Sequence, residues 1–167
     1  MAFGDTIKSA WNFVTGGGAH LSLELETDAV YPGDELAVRV VVQSAGAEIF
    51  ARGVVLDLEA HEILDAGAFE VLSFSDPTRT RPREPLVGGE TVTVRAHFRL
   101  SEPFRLEPGK SVPLRARVRI PANARPTYLG VNAKHTYRVR ARLDVSGTDP
   151  SSDWHALRVG SRIAVCV

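Results

Sequence analysis

Residues 125–147 read RPTYLGVNAKHTYRVRARLDVSG, and two signals are interleaved in them. From His135 the odd positions, His135, Tyr137, Val139, Ala141, Leu143 and Val145, are mostly apolar. The even positions, Lys134, Thr136, Arg138, Arg140, Arg142 and Asp144, are polar and mostly basic. Successive side chains of a strand point to opposite faces, so this period of two predicts a half-buried strand with a cationic outer side. The question it raises is why a chain of zero net charge lines one strand face with cations.

The same period recurs outward from this segment. Leu21, Leu23 and Leu25 alternate with Ser22, Glu24 and Glu26, and Leu36, Val38, Val40 and Val42 with Ala37, Arg39, Val41 and Gln43. Val54, Leu56 and Leu58 oppose Val55, Asp57 and Glu59, and Phe69, Val71 and Ser73 suggest a shorter strand. Val92, Val94, Ala96, Phe98 and Leu100 form one further series, Val112, Leu114, Ala116, Val118 and Ile120 another. The tail from Trp154 to Val165 reads as a last strand or two. Tyr31-Pro32-Gly33-Asp34 and Glu107-Pro108-Gly109-Lys110 each join two such runs, with Pro then Gly where a type II turn needs a negative and then a positive φ. About eight strands separated by turn signals, with no helical pattern between them, predict an all-β antiparallel sandwich instead of a βαβ fold.

Only the N-terminus departs from alternation. Phe3, Ile7, Trp11 and Val14 recur at spacings of four and three, with Ala10 beside them, as in a short amphipathic helix that Gly16-Gly17-Gly18 ends. The expected organisation is this helix and glycine hinge over residues 1–18, followed by one sandwich domain over 19–167. Ser75 to Glu90, SDPTRTRPREPLVGGE, is a Pro-, Gly- and Arg-rich loop.

Composition narrows the functional classes. A chain of 167 residues suits one domain that buries roughly 70% of its unfolded surface. Its one cysteine, Cys166, excludes an internal disulfide and any CxxC pair, which points to a reducing, cytoplasmic setting. Twenty basic residues balance twenty acidic ones, against bulk nucleic-acid binding. Met1 to Gly18 lacks the basic start and continuous apolar stretch of a signal peptide, and no apolar run is long enough for a membrane span.

The order of elements resembles the arrestin fold, and specifically the single-domain bacterial arrestin-like proteins of the sporulation-control family. The resemblance is carried by a short helix, a strand ending in VYPGDEL, LSEPFRLEPGKSVPLRARVRIP, RPTYLGVNAKHTYRVRARLDV, and DPSSDW before the last strand. It covers Ala19 to Val159 and implies an immunoglobulin-like β-sandwich adaptor that binds other proteins, without a catalytic centre. A second sandwich like that of eukaryotic arrestins is lacking.

No other motif competes with that expectation. FRLEPGKS, residues 104–111, ends like a phosphate loop, but Phe104 replaces the first glycine and a strand follows where a helix should open. His20, His61, His97, His135 and His155 are dispersed without paired-ligand spacing and read as surface or half-buried strand positions. No GxSxG places a serine on a nucleophile elbow. Neither an enzyme, a cofactor nor a metal is expected.

Arginine carries the strongest local signal. If strands 111–120 and 132–145 share a sheet, Arg115, Arg117 and Arg119 join Lys134, Arg138, Arg140 and Arg142 on one outer face, extended by Arg95 and Arg99. One reading is a solvated face neutralised by Glu24, Glu26, Asp57 and Glu59; the other is a docking surface for an acidic protein partner. On the second reading, reversing Arg117 and Arg140 would weaken binding and leave stability nearly unchanged. Arg79, Arg81 and Arg83 of the loop are further partner-binding candidates, placed where arrestins carry a recognition loop. The stripe of Phe3, Ile7, Trp11 and Val14 must dock on its own domain, on a partner or second copy, or on a membrane surface. The expected function is thus a non-enzymatic adaptor or scaffold in signalling or sporulation-type regulation, with a peripheral membrane-surface module as the alternative.

Overall fold

The structure, a computed structural model, describes residues 18–64 and 88–161. The helix expected over 1–18, the strand near Phe69, the loop arginines Arg79, Arg81 and Arg83, and Cys166 lie outside the described residues. Within them are eleven strands: β1 (Ala19–Leu25), β2 (Ala29–Val30), β3 (Glu35–Ser44), β4 (Ile49–Ala51), β5 (Gly53–Leu64), β6 (Gly89–Arg99), β7 (Phe104–Leu106), β8 (Ser111–Arg119), β9 (Tyr128–Leu129), β10 (Ala133–Asp144) and β11 (His155–Val159). They form the arrestin-like sandwich. One large sheet has the order β1-β3-β8, the other runs β2-β11-β10-β5-β6 with β9 also on β10, and β4 and β7 form a separate two-stranded sheet. Every pairing is antiparallel except β2 with β11.

One long hairpin builds both sheets. Along β3, β4 and β5 the partner's number falls as the chain advances, from Glu35↔Arg119 through Ile49↔Leu106 to Val55↔Arg99. Two arms, β3-β4-β5 and β6-β7-β8, therefore pair with each other in three successive ladders and cross between the two larger sheets at β4 and β7. The arm β6-β7-β8 stays on one flank throughout, so among the described residues β6 and β8 are the outermost strands of the two sheets on the same side. On the other flank β1 pairs with β3 and β10 with β5, and the chain crosses from β1 into β2 to pair with β11.

The alternation read in the sequence is the one the fold buries. Leu36, Val40, Val42, Leu56, Leu58, Val139, Ala141 and Leu143 are at most 1% exposed and meet between the sheets. Each buried leucine or valine stabilises by about 1.5–3 kcal/mol. Both Pro-Gly turns form as expected: Gly33 and Gly109 have φ of +83° and +69°. In each, the fourth residue's N–H reaches back to the first residue's carbonyl, at 3.0 Å for Asp34–Tyr31 and 3.1 Å for Lys110–Glu107. The strands absent from the sequence reading, β2, β4, β7 and β9, have only two or three residues, too few to show a period.

Candidate functional site

Strand β10 lies against β5, and this pairing decides what its arginines do. Arg138 stands opposite Glu59 and Arg140 opposite Asp57. Asp57 is only 3% exposed. Its Oδ2 accepts from Arg140 Nε at 3.2 Å and Arg142 Nε at 3.4 Å, while Oδ1 lies 2.7 Å from His97 Nδ1 on β6. Glu59 Oε2 accepts from Arg138 Nη2 at 2.8 Å, and Oε1 pairs with Arg95 Nε at 3.3 Å. His61 bridges Glu59 and Glu90, and Arg142 also reaches Asp149. Trp154, just before β11, lies against this array, with the Arg138 and Arg140 guanidinium carbons 4.3 and 4.5 Å from its ring centroid. An aromatic face attracts a cation, so Trp154 helps to hold both side chains.

The electrostatics follow from these contacts. Burial alone would raise the Glu59 carboxyl, but hydrogen bonds from Arg138 and His61 and the charges of Arg138 and Arg95 outweigh it, and the pKa is lowered. Burial opposes the charge of Arg142, yet Asp149 and Asp57 hold its pKa above the ordinary value. Burial also pushes the His155 imidazole below its ordinary value, against the opposing charge of Asp153.

The arginines of β8 have a different setting, which corrects the expectation of one shared cationic face. β8 belongs to the three-stranded sheet and β10 to the other, so Arg115, Arg117 and Arg119 do not share a face with Arg138, Arg140 and Arg142. The physical reason is the folded hairpin, which carries β8 to β3 instead of β10. Arg117 and Arg119 are 74% and 76% exposed in their side chains and both lean on one carboxylate, Glu35, at 3.7 and 4.0 Å. Arg115 stands opposite another cation, Arg39, whose own partner is Glu24 at 3.3 Å. Among the described residues, three of the four arginines on this face pair with a carboxylate, Arg39 with Glu24 and both Arg117 and Arg119 with Glu35. A cleft of about 1210 Å³ borders them, lined by Arg39, Arg115 and Arg117, by Glu24, Glu26 and Asp28, and by His155.

Of the other candidates, Lys134 stands apart near the tip of the long hairpin, beside a depression of about 330 Å³ that Ile63, Leu64 and Val131 also line. Leu129 and Val131 there are 74% and 90% exposed, an apolar surface that the sequence reading did not single out. The sequence signal for it is the apolar residues of TYLGV, of which Leu129 and Val131 keep the odd-numbered parity of the inward β10 residues but precede that strand. His61 and His135 are buried, not the surface or half-buried positions expected of them. His135 Nδ1 donates to the Pro126 carbonyl at 3.1 Å, its Nε2 lies 3.1 Å from Thr93 Oγ1, and Tyr128 stacks on the ring. It is a satisfied core histidine fastening the crossing chain to β10. No group of three or more His, Cys, Asp or Glu suited to a metal lies among the described residues, nor a helix long and apolar enough to cross a membrane.

These features define a protein class: a single arrestin-type β-sandwich with two differently charged outer faces. The chain belongs to the SpoOM protein family, whose model matches residues 10–165. Among solved structures it is similar to Spo0M, the sporulation control protein of Bacillus subtilis, with a TM-score of 0.62 at 21% identity. The match covers 87% of this chain and 51% of that one, so the chain spans about half of that relative's length. No curated protein sequence matches it.

Proposed function

We propose that the chain is a non-enzymatic, cytoplasmic adaptor of sporulation-type regulation that docks an acidic protein partner on the outer face of the β1-β3-β8 sheet. Family membership and the sporulation-control role of the B. subtilis relative support the regulatory setting. The observation that carries the docking face is the loose pairing at β8: Arg115, Arg117 and Arg119 are exposed, Arg117 and Arg119 share one carboxylate, Glu35, at 3.7 and 4.0 Å, and Arg115 stands opposite another cation, Arg39. Such loosely paired cations keep their side chains and their field available to a partner, and they speed encounter with an acidic surface. The β10 arginines serve the fold instead, because Arg138, Arg140 and Arg142 are closely paired with three carboxylates, Glu59, Asp57 and Asp149.

The test is a pull-down from native cytosol, comparing wild type with an Arg115→Glu, Arg117→Glu, Arg119→Glu variant, followed by association kinetics of the captured protein at several salt concentrations. The expected result is an acidic partner that associates at least ~10-fold more slowly with the variant and shows a flatter salt dependence. Undiminished capture by the variant would overturn the docking face. Loss of binding to anionic vesicles, with no change in protein capture, would favour the membrane-surface reading.

A further inference from the structure

The outer face of the β1-β3-β8 sheet is acidic along one edge and basic along the other. The strand registers fix its rows. Glu24 stands beside Arg39, and Arg39 beside Arg115. In the next row Glu26 N–H donates to the Ala37 carbonyl at 3.1 Å, and Ala37 stands beside Arg117. Glu24 and Glu26 thus follow the β1 edge, and Arg115 and Arg117 the β8 edge, at the same step of about 7 Å along their strands. Two strand spacings, about 10 Å, separate these stripes. Both line the cleft of about 1210 Å³, with the small side chain of Ala37 between them. A further row, Ser22, Val41 and Pro113, carries no charge.

Such a face is complementary to itself. A two-fold axis above β3 and parallel to the strands turns a copy over, exchanges its two edges and keeps the height of every row. Glu24 then faces Arg115 of the second copy and Glu26 faces its Arg117, and the symmetry repeats each pair. An axis running across the strands would instead set arginines on arginines and carboxylates on carboxylates, so the charge pattern selects one orientation. Aligned sheets pack face to face about 10 Å apart, within reach of facing Glu and Arg side chains. Ala37 and Val41 lie nearest the axis. Arg39 between them is drawn to the β1 side by Glu24, 3.3 Å away. A purely acidic partner matches only the β8 stripe and meets the β1 carboxylates with like charge, whereas a second copy matches both stripes at once.

We propose that this face also pairs with its equal on a second copy of the chain, in an isologous dimer held by Glu24 with Arg115 and Glu26 with Arg117. The dimer occupies the arginines assigned above to the acidic partner, so copy and partner compete for one face, a consequence that rests on the docking reading. Self-association thereby keeps the adaptor masked where its concentration is high.

Sedimentation equilibrium of the full chain, under reducing conditions and with no partner present, tests the pairing. The wild type is expected to dimerise at low salt with a micromolar dissociation constant. That constant should rise at least ~10-fold when the Debye length is shortened from about 10 Å at 0.1 M salt to about 3 Å at 1 M. A wild type that stays monomeric at millimolar concentration in low salt, or a dimer indifferent to salt, would overturn the proposal. Two variants, each checked first for wild-type circular dichroism, locate the contact. Glu24→Lys with Glu26→Lys, and Arg115→Glu with Arg117→Glu, should each weaken the dimer at least ~10-fold. An equimolar mixture of the two should restore it, because a basic pair of stripes then meets an acidic pair. Dimerisation of either variant at wild-type strength, or a mixture that remains monomeric, would refute the pairing. The lysine variant keeps its β8 arginines and should capture more acidic partner than wild type. Capture at or below the wild-type level would refute the masking, while the dimer measurements stand or fall without any partner.

Discussion

Strands β8 and β10 carry nearly the same text, alternating apolar residues with arginines, and the fold gives them opposite roles. On β10, Arg138, Arg140 and Arg142 are 40%, 33% and 25% exposed and reach the half-buried Glu59 and the buried Asp57 at 2.8 to 3.4 Å. On β8, Arg117 and Arg119 are about three-quarters exposed and share Glu35 at 3.7 to 4.0 Å. The neighbouring strand makes the difference. β5 presents Asp57 and Glu59 to β10, whereas β3 presents Ala37 and Arg39 to Arg117 and Arg115. An arginine opposite a desolvated carboxylate is a structural element; an arginine opposite alanine or another arginine is a surface charge.

The largest effect that this contrast predicts is at Asp57. Asp57→Ala leaves Arg140, Arg142 and His97 without their shared partner and should cost about 3 kcal/mol, seen as a melting temperature lower by roughly 6–12 °C. A loss under about 1 kcal/mol would break the contrast. Next comes the paired comparison of Arg140→Ala with Arg117→Ala in chemical denaturation. The first uncovers the carboxylate of Asp57 and should cost about 2 kcal/mol, the second no more than about 0.5 kcal/mol. The sequence reading expected Arg140 to be reversible without loss of stability, and the 3% exposure of Asp57 argues against it.

A smaller effect sharpens the contrast through pH. Folded Glu59 keeps its charge to lower pH than the unfolded chain, whose glutamates titrate near ~4.3. Its contribution is therefore complete above about pH 5 and lost as pH falls through the folded value. The melting-temperature gap between wild type and Glu59→Gln should accordingly narrow below about pH 4. His155 acts in a higher window: its lowered pKa means the unfolded chain takes up the proton first, so stability falls as pH drops below ~6.5. His155→Leu should flatten the melting curve against pH between about 7 and 5. The Arg115, Arg117 and Arg119 triple reversal should likewise leave stability within about 1 kcal/mol of wild type, measured by the same melts.

How much of this was legible varies with the range of the interaction. Alternation located β1, β3, β5, β6, β8, β10 and β11 within a few residues, because a strand's period depends only on its own backbone. It could not assign strands to sheets: the pairing of β8 with β3 joins Glu35 to Arg119, far apart in the chain. Asp57 and Glu59 were named as neutralising residues, and they are; Glu24 does pair, but with Arg39 instead of a β8 arginine. Trp154 was legible only as the end of DPSSDW and the start of the last strand, since nothing local shows that its ring will lie against Arg138 and Arg140.

The sequence by itself determined the all-β class, the inward and outward side of each long strand, the two Pro-Gly turns and the family. These follow from Cβ alternation and from the φ that proline and glycine impose, which act within a few residues. Only the tertiary structure decided which arginines are held close to buried or half-buried carboxylates and which stay exposed and loosely paired. Those outcomes depend on how one long hairpin folds over itself, bringing Asp57 rather than Ala37 beside a given guanidinium, and on how far each pair is withdrawn from water.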